Sequence, residues 1–174
     1  MKTKTIEIFE FNELSESAQE FALNEVRQGN YGYDWWDCTY EDAETIGLRL
    51  TGFGLDRDRH ATGNFKDSAE CCANFIVDNH GEACETYKTA TVYLADRFNT
   101  IENAPVDENG ELASEYNLDC DLNDLDAEFL RSILEDYSMQ LQRESEYLDS
   151  KEHLLEMIDC NEYTFTSNGK IEYV

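Results

Sequence analysis

Basic side chains, proline and long apolar runs are all scarce in this 174-residue chain. Thirteen Lys and Arg stand against 39 Asp and Glu, for a formal charge of −26 at pH 7. A surface so short of positive charge is repelled by nucleic acid and by anionic membranes, which argues against direct binding to either. No apolar stretch approaches the roughly 20 residues that a membrane-spanning helix needs. The opening MKTKTIEIFEF alternates apolar with polar residues, and no apolar h-region follows Lys2 and Lys4. A cytoplasmic protein is therefore expected, and in that compartment six cysteines read as free thiols rather than a disulfide framework. The one proline, Pro105, falls in the segment 103–116, and no stretch reads as an interdomain linker or a repeat. One domain spanning 1–174 is expected.

Signature motifs of chemistry are missing as well. There is no phosphate loop, dinucleotide fingerprint, Gly-x-Ser-x-Gly or His-Glu-x-x-His, and no Cys-x2-4-Cys zinc knuckle. What is present is enough apolar material for a core: 41% hydrophobic residues, with aromatics at 12% of the chain, exclude a disordered acidic tail. The excess charge is large. Duplex DNA carries one charge per roughly 1.7 Å of axis, so 26 charges match those of about 13 base pairs. Such a chain is drawn to basic surfaces, with fast and salt-sensitive association.

Periodicity predicts an α+β fold. Alternation over 3–11 (Ile6, Ile8, Phe9, Phe11) reads as a strand. Ser15 then caps a helix carrying Ala18, Phe21, Ala22 and Val26 and ending at Gly29. Asp34 caps a second helix over 35–46, stopped by Gly47. Leu48, Leu50 and Gly52 begin a strand that returns through 61–65 by a hairpin around 58–60. Asp67 and Glu70 form a capping box for a helix ending at Gly81, and a further helix covers 83–98. After a turn at Asn109-Gly110, a long helix starts at Asn123 or Asp124 and runs through Phe129, Ile133, Tyr137 and Leu141. A second capping box, Asp149 and Glu152, breaks it before Leu154 and Ile158. Residues 163–174 read as a hairpin with its turn at Asn168-Gly169. The expected whole is one antiparallel sheet that includes the C-terminal hairpin, covered by four to five helices.

The densest charge lies in NLDCDLNDLDAEF, residues 117–129, with five acids and no base. Half the net charge follows residue 110, where 17 acids face Arg131, Arg143, Lys151 and Lys170. A calcium loop starting at Asp119 fails twice: its sixth position is Asp124 rather than Gly, and its twelfth is Leu130 rather than Glu. Helix capping accounts for Asp124, Asp126 and Glu128, since acids suit the first turn of a helix. It leaves Asp119 and Asp121, which an extended chain places about 6.6 Å apart on one face. A row of carboxylates presented to phosphate-binding residues is the sharp reading; a solvated acidic face is the plain one.

Three other constellations compete. In YGYDWWDCTY, residues 31–40, helical spacing places Trp36 and Tyr40 in the core and leaves Trp35, with Tyr33, as contact-surface candidates. In LDRDRH, residues 55–60, an extended chain puts Asp56, Asp58 and His60 on one face, a plausible ligand set for a metal-dependent hydrolase. The competing explanation is a polar hairpin end whose Arg57 and Arg59 pair with acids. Cys71, Cys72, His80 and Cys84 lack zinc spacing, and buried thiols beside a helix-ending histidine explain them better.

IEIFEFNELSESAQEFAL, YDWWDCTYEDAETIGLRLTGFGLDRDR and the terminal NEYTFTSNGK together resemble, over most of the chain, a family of small acidic phage and prophage proteins. That resemblance implies a phage-borne accessory protein acting inside the host cell; it transfers no catalytic residue. Some members carry an antitoxin-like label. Phages encode acidic inhibitors of restriction or CRISPR systems, some of them DNA mimics, and the resemblance raises the carboxylate row above solubility alone. The sequence thus points to a non-enzymatic protein, without metal or cofactor. It would bind a basic, nucleic-acid-handling host protein through Glu115, Asp119, Asp121, Asp124, Asp126, Glu128 and Trp35. An antitoxin neutralising a toxin, and a hydrolase using Asp56, Asp58 and His60, are the alternatives.

Overall fold

The structure, a computed structural model, describes residues 6–30 and 33–173. Among the described residues, six α-helices and four short strands make a mixture of helix and antiparallel hairpins: α1 Glu16–Asn30, α2 Asp37–Thr45, β1 Leu48–Gly54, β2 His60–Phe65, α3 Ala69–Asn79, α4 Glu85–Glu102, α5 Leu118–Asp149, α6 Lys151–Cys160, β3 Thr164–Phe165 and β4 Ile171–Glu172. They divide into two compact units, Met1–Trp35 with Arg143–Val174, and Trp36–Gln142.

The first unit is built on α1, α6 and the β3–β4 hairpin. Ser15 caps α1 as expected, its hydroxyl accepting from the Ala18 N–H at 3.4 Å. Leu14, Ala18, Ala22 and Val26 recur at helical spacing and bury against Leu154, Ile158 and Phe165. Among the described residues the expected N-terminal strand does not form. Residues 3–5 of it lie outside the described residues; of the rest, only Phe9 pairs, exchanging both backbone hydrogen bonds with Phe165 at 2.8 and 2.9 Å. The chain then turns into a 3-10 helix, Phe11–Glu13, and Phe11 packs edge-on against Phe165 with ring centres 6.2 Å apart. Phe9 thus meets Phe165 through the backbone and Phe11 through its ring. The C-terminal hairpin is present but short. At its turn Gly169 has φ +87°, and a Cβ there would overlap the Ala18 carbonyl, so glycine is required twice over.

The second unit packs α2, α3, α4 and most of α5 around the β1–β2 hairpin. Each helix contributes a stripe: Thr39, Ala43 and Ile46 around α2, Ala69, Cys72, Ala73 and Ile76 from α3, Ala90 and Tyr93 from α4, and Phe129, Ile133 and Tyr137 from α5. Helix α2 has no side-chain cap. Its cap residue is Trp36 rather than Asp34, and Gly47, at φ +78°, ends it in the left-handed conformation. Helix α3 is capped by Ser68, whose hydroxyl accepts from the Cys71 N–H at 3.1 Å, not by the Asp67–Glu70 box. Ser150 likewise caps α6 in place of Asp149. Strand β1 pairs with β2 antiparallel, with a bulge between Leu50 and Gly52. Each hairpin forms its own two-stranded sheet, so the single sheet expected from the sequence is replaced by two among the described residues. A β3–β4 hairpin of two-residue strands has little edge to offer a larger sheet.

Candidate acidic interface on helices α4 and α5

Helix α5 starts six residues earlier than Asp124. Asn117 is its cap, with Oδ1 accepting from the Cys120 N–H at 3.2 Å, and Leu118, Leu122, Leu125 and Phe129 continue the apolar side of the helix back to its start. Asp119 and Asp121 therefore sit in the first helical turn rather than on an extended segment. Their charges oppose the positive end of the helix dipole, worth about 0.3–1 kcal/mol each.

Winding the acids onto a helix splits the row. At 100° per residue, Asp121, Asp124 and Glu128 share one face, and Asp119 and Asp126 the other. Asp121, Asp124 and Glu128 are all exposed. Asp121 accepts a hydrogen bond of 2.6 Å from the Tyr116 hydroxyl, which raises that phenol's pKa. Asp124 and Glu128 have no hydrogen-bond or ion-pair partner among the described residues and present bare carboxylates. From Asp121 to Glu128 the axial rise is about 10 Å.

Asp126 has a different role. Its Oδ1 accepts from the Tyr93 hydroxyl at 2.6 Å and from Arg97 Nη1 at 3.3 Å, and Arg97 also meets Glu70 at 3.2 Å. Burial, then the bond to Asp126, drives the Tyr93 phenol pKa far up, so Tyr93 stays a donor. Tyr93 in turn stacks on Phe129 with centres 4.3 Å apart, and Phe129 stacks on Phe65 at 5.5 Å. Asp126 thus anchors an aromatic floor between α4 and α5. Asp119 and Glu115 are exposed, off the Asp121–Glu128 face and in the preceding loop respectively.

Helix α4 runs antiparallel to α5 and completes the site. Thr89 donates to Asp136 at 2.6 Å, and Tyr93 and Arg97 reach Asp126. Two hollows between the helices meet at Leu125 and Glu128. One holds Val92, Tyr93 and Phe129, with Lys88 at its far end; the other holds Tyr116, Asp121 and Asp124. Exposed Asp96 of α4 adds a fourth carboxylate to the rim. The sequence pattern contained no signal for this groove, because nothing in it paired α4 with α5.

Trp35 and Trp36 exchange the places expected of them. Trp35 is 9% exposed, whereas Trp36 is half-buried and edges onto Phe53 at 5.6 Å. Both lie in a turn before α2, so helical phase does not govern them. Buried Trp35 is not an exposed anchor. Tyr33 is 56% exposed, while residues 31 and 32 of the same stretch lie outside the described residues.

At the β1–β2 hairpin end, Asp56, Asp58 and His60 line a shallow hollow with Gly54 and Arg57. His60 Nδ1 lies 2.6 Å from the Asp58 backbone carbonyl, and Arg59 pairs with Glu135 and Gln142 of α5. No three His, Cys, Asp or Glu side chains converge on a metal-sized site among the described residues. Of the cysteines only Cys72 is buried, correcting the expectation of buried thiols at Cys71 and Cys84. His80 does close α3: its Nδ1 bonds the Thr86 hydroxyl at 2.7 Å, and its Nε2 lies 3.5 Å from Asp42. The Tyr137 hydroxyl donates to the same Asp42 at 2.7 Å.

No helix among the described residues is long and apolar enough to cross a membrane. Comparison of the chain with protein-family models, with curated proteins and with solved structures finds no match.

Proposed function

We propose that the protein is a non-enzymatic binding protein that occupies the nucleic-acid site of a basic partner. The observation that carries this reading is the exposed face of Asp121, Asp124 and Glu128 on α5, two of them without partners, in a chain of charge −26. Isolated surface carboxylates find counter-charges readily in most proteins; here 39 acids share 13 bases, so unpaired carboxylates accumulate. A row of them about 5 Å apart along a helix is sparser than the roughly 3.4 Å charge interval of one DNA strand, and Asp96 of α4 adds charge beside it. Lys and Arg placed to contact phosphates would meet carboxylates instead. Such contacts steer association and weaken with salt.

The resemblance of the sequence to acidic phage proteins supplies the setting: a host restriction enzyme, CRISPR effector or other nucleic-acid-binding protein is the partner class. The exposed face no longer includes Asp126 or Trp35, which hold the fold. The test is capture from a host lysate on immobilised protein, followed by elution with salt. A single basic, nucleic-acid-binding protein released by salt, and displaced by duplex DNA or by RNA, is the expected result. Retention of a partner that neither salt nor nucleic acid displaces would overturn the reading.

A further inference from the structure

The acidic face does not stand alone. It forms one rim of a groove between α4 and α5 that runs from Lys88 to Asn103, a rise of about 22 Å, or four helical turns. Its middle is apolar. Val92 stands 61% exposed there, above Leu125 and the stacked Tyr93–Phe129 pair. Val92 is not among the side chains that form the unit's core, and the aromatic floor is held by the Tyr93–Asp126–Arg97 contacts. Charge is distributed unevenly along the groove. Asp96, Asp121, Asp124 and Glu128 surround the middle and the Asn103 end, while Lys88, paired to Glu85 at 2.9 Å, marks the other.

We propose that this groove receives an amphipathic, basic α-helix of the partner protein, with its apolar stripe on Val92 and Leu125 and its Lys and Arg residues against Asp96, Asp121, Asp124 and Glu128. The inference rests on the acidic-surface reading above and gives the partner's element a shape. A cleft between two antiparallel helices matches a third helix, read by apolar residues at i, i+3 or i+4 and i+7. The carboxylate rim selects positive flanks and repels nucleic acid, which carries the wrong charge for the site. Apolar contact supplies the part of the affinity that salt does not remove.

The probe is a labelled helical peptide of about four turns made of Leu and Lys at amphipathic spacing. Its control has the same composition with the Leu residues scattered around the helix. Binding is read by fluorescence anisotropy at physiological ionic strength and mapped by amide shifts on the full chain. The amphipathic peptide is expected to bind at least about tenfold more tightly than the control, with shifts centred on Val92, Leu125 and Ser132. Val92→Glu is the decisive variant, because it adds negative charge at an exposed position. Charge attraction alone predicts equal or tighter binding; a groove predicts a loss of about tenfold or more. Equal binding of the two peptides, or unimpaired binding by V92E, overturns the groove even if D121N/D124N/E128Q weakens the peptide. Unimpaired binding by that triple variant, with V92E weakened, instead overturns the acidic-surface reading and the basic half of this proposal.

Discussion

Five acids in one stretch carry equal formal charge, yet the structure assigns them opposite effects on stability. Asp126, with its side chain 34% exposed, accepts from Tyr93 and Arg97, whereas Asp124 sits among Asp121 and Glu128, at i−3 and i+4, with no partner. Removing a charge-assisted hydrogen bond costs about 1.5–3 kcal/mol, and leaving the buried Tyr93 hydroxyl unpaired falls within the same range. The Arg97 pair is partly solvated and adds at most about 1 kcal/mol. Asp126→Ala should therefore lose about 2–4 kcal/mol, and Asp126→Asn, which keeps an acceptor for Tyr93, about 1 kcal/mol. Asp124→Asn relieves two like-charge neighbours and should gain a few tenths of a kcal/mol. For a chain of this size, 1 kcal/mol moves the melting temperature by about 2–4 °C. Urea unfolding at neutral pH, read separately by far-ultraviolet circular dichroism and by tyrosine and tryptophan fluorescence, gives the three midpoints. If D126A is no less stable than D124N, the assignment of Asp126 to the groove floor is wrong.

Other expectations follow from single features. The Asp136 carboxyl is pushed above its usual pKa, chiefly by burial and against the lowering effect of the Thr89 hydroxyl. A folded pKa above the unfolded one favours the protonated folded state, so this stability is present in acid and lost as pH rises through the folded pKa. Asp136→Asn should then stabilise at pH 7, with the gain vanishing toward pH 4, as paired urea titrations would reveal. Burial raises the Cys72 thiol to about 12, so a mild alkylating agent at pH 8 should modify the five exposed cysteines of the folded protein and spare Cys72; mass spectrometry showing Cys72 labelled as fast as Cys71 contradicts its burial. Gly169→Ala should cost more than about 1 kcal/mol, because it adds both a left-handed penalty and an overlap with Ala18; an unchanged urea midpoint would contradict the turn.

Elements bounded by glycine were the legible part of this fold. Gly47 stops α2 and Gly169 turns the last hairpin, because a left-handed backbone has few chemical solutions. The β1–β2 hairpin was equally clear from alternation. Caps were less so: Ser68 and Ser150 hold the helices that Asp67 and Asp149 also qualified to start, and Asn117 outcompetes Asn123 and Asp124, six and seven residues later. Several Ser, Asn and Asp in a row satisfy the same capping rule, and only the path of the chain chooses among them. That one choice turned an extended acidic ribbon into a helix with two acidic faces. Asp126 could not be separated from Asp124 by composition, since its partners Tyr93 and Arg97 lie 33 and 29 residues away. The Trp35 and Trp36 reversal has a local cause, because a helical wheel was extended into a turn.

The central claim is that Asp121, Asp124 and Glu128 meet a basic partner where phosphates would bind. The direct measurement is the affinity of the captured partner for the parent chain and for D121N/D124N/E128Q, at low salt and again at physiological salt. The substitutions preserve size and avoid the Asp126 anchor, so folding is retained. Each exposed pair contributes at most about 1 kcal/mol, so three lost together weaken binding by up to roughly a hundredfold at low salt. The slope of affinity against salt should flatten in the variant. An affinity and salt slope equal to those of the parent would reduce this face of α5 to a solvated surface.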